Sequence, residues 1–451
     1  MRPKAQHDVT QGSLARNIWH LARPITISQM LFMLPNLYDT IWLGQLGRDA
    51  QAAAGLTMSV RLTMISVLMA LSLGSGAVVS RYVGAKDQDK ANLAVLQAVI
   101  LMITASGSLG LFGVIFARPL LVLAGANGAT LPLALRYARI IFAGLIAMEM
   151  VPSVGFMLNA AGAPQVMLGM TLLSTGTLLV AEPLLVSWLG LEGAALALVG
   201  SNGVGMLWGL SLLVSGRAPV ALRLPVRLDL RHLRLDFPMM GRILPIALPA
   251  ILQRGTPNLA MSYLTRLVSS YGAPTLAAWV IARRISDFAL IPSMGLSRAT
   301  PAMVGQNLGA AQPERATRSV SLIARAATLV GGCILGLLAL FAPQVMATLS
   351  RDAETSSIGA HVIRMLSIGY LGLALNYVFD AAQAGAGDTF SPMVINLISV
   401  WLIQVPLAYL LSRLVGLRAD GVWLALVLSW ILQATLMGLR FRQGRWKLKQ
   451  V

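Results

Sequence analysis

The sequence predicts an all-α polytopic membrane protein, with twelve transmembrane helices in two six-helix parallel repeats. Three observations lead there. The 451 residues are 56% hydrophobic and only 12% charged, about half the charged fraction of a soluble domain. Apolar stretches long enough for the ~20 helical residues that cross a hydrocarbon core recur along the whole chain. Shifting the chain by about 225 residues superposes its two halves, as expected of a duplicated unit. The same composition argues against a water-soluble enzyme, a disordered chain and a nucleic-acid binder. The stretches are apolar throughout instead of alternating within segments of about ten residues, so they read as helices and not as barrel strands.

In chain order the expected spans are 17–43, 54–80, 91–116, 136–160, 166–188, 193–215, 239–268, 275–305, 318–342, 358–383, 392–413 and 420–440. Basic residues outnumber acids 35 to 17 and gather on one side of these spans. Arg2, Lys4 and Arg16 precede the first, and Arg81, Lys86 and Lys90 follow the second. Arg217, Arg223, Arg227, Arg231 and Arg234 lie between the sixth and seventh, with Arg242 in the first turn of the seventh, and Arg440 ends the last, followed by Arg442, Arg445, Lys447 and Lys449. Positive charge stays cytoplasmic, so both termini and the central loop are expected inside a cell (inner or plasma) membrane. The organisation that follows is a cytoplasmic N-terminus (1–16), an N-lobe (17–215), a basic linker (216–238), a C-lobe (239–440) and a cytoplasmic tail (441–451). The first span is too long for a secretory h-region, and no cleaved signal peptide is read. Trp42, Trp188 and Trp423, near expected outer ends, suit the interfacial belt.

The repeat is visible in matched small residues. Gly47 with Ala52-Ala53 corresponds to Gly272 with Ala277-Ala278, and Gly84-Ala85 to Gly309-Ala310. Ala161-Gly162-Ala163 corresponds to Ala384-Gly385-Ala386, and Gly190 to Gly416. Six helices per repeat return each half to its starting side, so the repeats are parallel. Folds of this kind place a substrate site between halves and work by rocking them.

At this point the residues resemble a known family. The segment Pro35-Asn36-Leu37-Tyr38-Asp39-Thr40-Ile41-Trp42-Leu43-Gly44, the loop Val83-Gly84-Ala85-Lys86-Asp87, the stretch Val304-Gly305-Gln306-Asn307-Leu308-Gly309-Ala310 and the turn Gly385-Ala386-Gly387-Asp388-Thr389 are similar to the multidrug and toxic compound extrusion (MATE) family. The resemblance implies a V-shaped pair of six-helix lobes. It also implies export of organic, often cationic, compounds in exchange for H⁺ or Na⁺.

Five acids fall within spans: Asp39, Glu149, Glu182, Asp287 and Asp380. An ionisable group there costs ~2.5–3.5 kcal/mol on insertion scales and marks a pathway, a partner or a proton site. At 1.5 Å per residue, Asp39 in the first span and Glu182 in the fifth lie at a similar depth, about 8–12 Å below the outer surface. Two carboxyls sharing a poorly solvated cavity are suited to carry a proton. The resemblance implies the same pairing, with Ala181-Glu182-Pro183 supplying Glu where the family has Asp. Leu178 and Leu198 replace an expected Asn and Thr, with Ser201 and Asn202 as substitutes; Asn36 and Tyr38 are accessory candidates. A bland alternative pairs Asp39 with Arg61. Glu149 reads equally as structural or functional, and Asp287 as neutralised by Arg283 or Arg284. Asp380 reads as solvated or as an inner-gate contact.

Pro24 and Pro35 are expected to bend the first helix. Met30, Met33, Met64, Met69 and Met261 would give an adaptable wall, and Tyr38, Tyr263 and Tyr377 faces for cations. A single Cys333 and four scattered His show no metal spacing, and no ATP-binding or zinc-hydrolase motif is present. The expected function is therefore that of a non-enzymatic secondary antiporter. It would export cationic or amphipathic drug-like compounds in exchange for H⁺, without cofactor or metal, as a monomer in the bilayer. The alternatives are Na⁺ coupling and a lipid-linked precursor flippase of the same broad fold.

Overall fold

The computed structural model describes residues 8–128, 130–215, 226–228 and 235–449. Most of the expected basic linker, including Arg217, Arg223, Arg231 and Arg234, lies outside the described residues, as do Arg2 and Lys4. The helices in order are α1 (Leu14–Leu31), α2 (Met33–Gln45), α3 (Arg48–Gly84), α4 (Gln88–Ile115), α5 (Ala117–Leu123), α6 (Thr130–Ala143), α7 (Leu145–Ala160), α8 (Pro164–Leu189), α9 (Leu191–Ser215), α10 (Phe237–Ser269), α11 (Ala273–Ser297), α12 (Thr300–Gly309), α13 (Pro313–Leu340), α14 (Ala342–Leu349), α15 (Ala353–Gly385), α16 (Phe390–Leu397), α17 (Val405–Tyr409) and α18 (Arg418–Arg442). Two π-helical turns, Ile398–Gln404 and Leu410–Leu414, flank α17. Among the described residues there is no strand.

These helices account for the twelve expected spans. Among the described residues eight continuous stretches are long and apolar enough to cross a bilayer, and α6 with α7, bent by 48°, makes a ninth. The α1–α2 stretch, α10 and α11 are diluted by polar residues and by charges such as Arg254, Arg283 and Arg284. Large apolar side chains point outward, where a soluble protein would cover them: Trp188 is 81% exposed and Leu402 70%. Surface of that kind needs lipid. Trp423 is corrected from belt to core, being buried among Leu264, Trp279 and Leu366.

The duplication is written into the backbone. α3 runs from residue 48 to 84, and α11 with α12 from 273 to 309, the same 225-residue offset at both ends. Gly47 (φ +103°) and Gly272 (φ +111°) begin these stretches in a conformation that only glycine adopts without strain, and Lys86 (φ +59°) and Ala311 (φ +55°) end them. A Cβ on Gly84 would sit 2.0 Å from the Gln306 carbonyl oxygen, and one on Gly309 would sit 2.0 Å from the Arg81 carbonyl oxygen. Two backbones therefore cross reciprocally at small residues, as packing in lipid favours. The next helices diverge at their caps. Asp87 caps α4 by accepting from the Lys90 N–H at 3.1 Å, and the Lys90 side chain holds its carboxyl below the usual carboxylate range, whereas Gln312 gives α13 no side-chain cap.

The chain divides into two compact units. Unit 1 comprises Met1–Gly12, Arg23–Ile251 and Gly305–Ala311; unit 2 comprises Ser13–Ala22, Leu252–Val304 and Gln312–Val451. Unit 2 is built around a buried cluster including Leu264, Trp279, Tyr370 and Trp423.

Candidate functional site: a buried carboxyl pair in unit 1

The first span breaks at Phe32, between α1 and α2. Pro35, lacking an N–H, cannot bond the Leu31 carbonyl, and the Asn36 Nδ2 donates to the Phe32 carbonyl at 3.2 Å across the break. In α1, Ser28 Oγ donates to the Pro24 carbonyl at 2.8 Å. Below the break, Asn36, Asp39, Thr40 and Leu43 share one face of α2 at helical spacing. Opposite them stand Gln51, Ala54, Gly55, Thr57, Met58 and Arg61 of α3, with Tyr137 and Ile141 of α6 and Leu198 of α9. Together they enclose a cavity of about 280 Å³.

Glu182 is fully buried on α8, within side-chain hydrogen-bonding reach of the half-buried Asp39. Pro183 fixes how the two helices meet. Its missing N–H leaves the Leu179 carbonyl without a helical partner, and Tyr38 Oη donates there at 3.1 Å. Asp39 Oδ1 and both Glu182 oxygens are buried and accept from no protein donor. Two ionised carboxylates at this distance would repel, whereas one shared proton allows an O–H···O bond between them.

Arg61 does not neutralise Asp39. Its Nη2 bonds Glu149 Oε1 on α7 at 2.8 Å, and Glu149 is buried. That finding replaces the Asp39–Arg61 pairing and gives Glu149 a partner. Asp287 has the expected local pair, with Arg283 at 3.6 Å, and also accepts from Tyr370 Oη at 2.6 Å. Asp380 is partly buried and accepts from Gln253 Nε2 at 2.7 Å, which corrects the solvated reading.

Ser201 and Asn202 bond the Leu198 carbonyl of their own helix, at 3.0 and 2.8 Å. Of the expected wall, Met30 and Tyr263 are 47% and 40% exposed, and Met64 is buried beside Gly113. Met261 and Tyr377 pack on the apolar cluster of unit 2, and Met33 is half-buried. None of these six lines the Asp39 cavity. Sequence reasoning misses Tyr137, which is buried within electrostatic range of Asp39, Arg61 and Glu182. An aromatic four residues before Ile141 on a helical face is the available signal, masked by the flanking Arg136 and Arg139.

Comparisons with known proteins agree with this architecture. The MatE family profile matches residues 24–184 and again 249–410, an offset of 225 between the two starts. The chain is 25% identical to the "Probable multidrug resistance protein YpnP" of Bacillus subtilis (strain 168), over 98% of each chain. It is 27% identical to an "FAD transporter" of Shewanella oneidensis, over 94% of each. A solved structure titled as the outward-facing conformation of a multidrug resistance MATE family transporter superposes with a TM-score of 0.90 at 24% identity, covering 99% of this chain and 100% of that one. A MOP superfamily transporter from Pyrococcus furiosus, described as having a binding pocket of reversed polarity, gives 0.89 at 23%, covering 99% and 100%.

Proposed function

The chain belongs to the MatE (multidrug and toxic compound extrusion) family, and from that premise we propose that it exports organic, cationic or amphipathic compounds in exchange for H⁺. Asp39 and Glu182 are the coupling pair. The transporter sits in the cell membrane with both termini cytoplasmic and works by alternating access as a monomer. The observation that carries this reading is the carboxyl pair itself: buried oxygens without donors, facing each other beside a cavity whose one arginine is already neutralised by Glu149.

Such a pair favours holding a proton, because sharing it replaces repulsion with a hydrogen bond. Losing the proton leaves the cavity more anionic and alters what Asp39 and its helix can bond. Tyr38 and Pro183 lie directly between that change and the α2–α8 contact. The break at Phe32 gives α2 freedom to respond, so protonation would bias one conformation over another. The similarity to proteins named for multidrug resistance and for FAD transport supports organic compounds of varied chemistry as substrates.

Efflux into everted vesicles tests the reading, with a proton gradient or a sodium gradient imposed alone. Proton-driven accumulation by the wild type, lost in Asp39→Asn and in Glu182→Gln, is the expected result. Full proton-driven export by both variants, or a wild type driven by sodium only, rejects it.

A further inference from the structure

Unit 2 holds a second group of charges, partly buried and mainly basic. Arg254 lies on α10, 17 residues from Phe237 and 15 from Ser269, and Arg298 caps the C-terminus of α11. The two guanidinium groups are close enough to act on each other, and both act on the Tyr377 phenol of α15. One acid faces them. Asp380 is within electrostatic range of Arg254, but its Oδ1 is occupied by the Gln253 amide at 2.7 Å. Asp287, the other acid acting on Tyr377, is held by Arg283 and Tyr370.

Positive-inside bias does not account for Arg254, since it is far from both ends of its helix. Arg298 has a structural reason to be where it is, because a cation at a helix C-terminus is favoured by the macrodipole. Arg254 has no such reason: its Nε is buried without a hydrogen-bond partner, and among the described residues it makes no ion pair. An arginine kept mid-span against the cost of burial, with Asp380 in range but no ion pair among the described residues, is poised for a counter-ion from outside the chain. The guanidinium fork suits carboxylate and phosphate, which it can take through two parallel hydrogen bonds. Met261, two turns further along α10, offers apolar surface for the rest of a molecule bound there.

We infer that this cluster binds the anionic group, a carboxylate or phosphate, of an amphipathic substrate. Arg254 is the main donor, Arg298 supports it, and Asp380 is the group that an incoming anion competes with. The inference rests on the chain being a transporter of organic compounds and selects, of the proposed substrates, amphipathic ones with an anionic group over simple cations.

Two xanthene dyes of opposite charge test it: 6-carboxyfluorescein and rhodamine 123, titrated by fluorescence anisotropy into the purified full chain in detergent micelles. The wild type should bind the carboxylate dye more tightly. Arg254→Gln should weaken carboxyfluorescein about tenfold and leave rhodamine 123 within about twofold. Asp380→Asn, which keeps both arginines, should tighten carboxyfluorescein and so provides a second reading should Arg254→Gln fold poorly. Preference of the wild type for rhodamine 123, or equal shifts of both dyes in both variants, overturns the inference. Charge-selective binding with no gradient-driven movement of either dye in vesicles supports this site and contradicts the antiport reading. Gradient-driven movement without charge-selective binding does the reverse.

Discussion

Asp39 and Leu264 stand 225 residues apart at equivalent points of the two repeats, each following a tyrosine, Tyr38 and Tyr263. The first is a carboxyl beside a second buried carboxyl. The second is a fully buried leucine in the apolar cluster of unit 2. The exchange also runs the other way: Arg254 of the second repeat corresponds to Gln29 of the first. Helix ends, positive-φ positions and the reciprocal glycine crossing have been kept, because they are demands of backbone geometry. Charge is where the repeats have parted, and both proposed sites draw on residues the repeats do not share.

Five substitutions probe how far the two repeats have diverged. The largest effect is expected from Leu264→Asp, which places in unit 2 the carboxyl that unit 1 tolerates. Without a partner it should cost more than about 4 kcal/mol and abolish accumulation of folded protein, read by size-exclusion in detergent. Glu149→Gln leaves the partly buried Arg61 guanidinium without its anion, and about 3 kcal/mol of stability should be lost in thermal unfolding. Gly84→Ala and Gly309→Ala should each cost about 1–3 kcal/mol and match one another closely, because each added methyl meets the opposing backbone. Unequal losses would mean that the crossing is not a symmetric feature. Asp39→Leu makes the first repeat resemble the second. It should raise stability by about 1 kcal/mol while abolishing proton-driven export, the trade expected where a buried polar group serves function.

Much of this is legible in the amino-acid sequence alone. The 225-residue offset can be read from glycine and alanine pairs because tight turns and close crossings admit few other residues. Asp39 and Glu182 stand out because acids are rare in the chain and residue count converts directly to depth. Depth does not give azimuth, and that is where sequence reasoning runs out. Arg61 is near Asp39 in height, but it faces Glu149 on α7. Trp423 is near a span end, but it faces the core. Ser201 and Asn202 turn back on the Leu198 carbonyl, a local bond that short polar side chains make readily in apolar helices. Tyr137 is hidden because it sits at the very start of the expected span 136–160, where Arg136 and Arg139 draw it as part of a charged outer end.

Whether the Asp39–Glu182 pair carries the coupling proton can be read in proteoliposomes with an imposed proton gradient, following the internal pH when a dye that the wild type exports is added. Dye addition should dissipate the gradient through the wild type and leave it intact in the Asp39→Asn Glu182→Gln double variant. Dissipation at the wild-type rate in that variant would contradict the account.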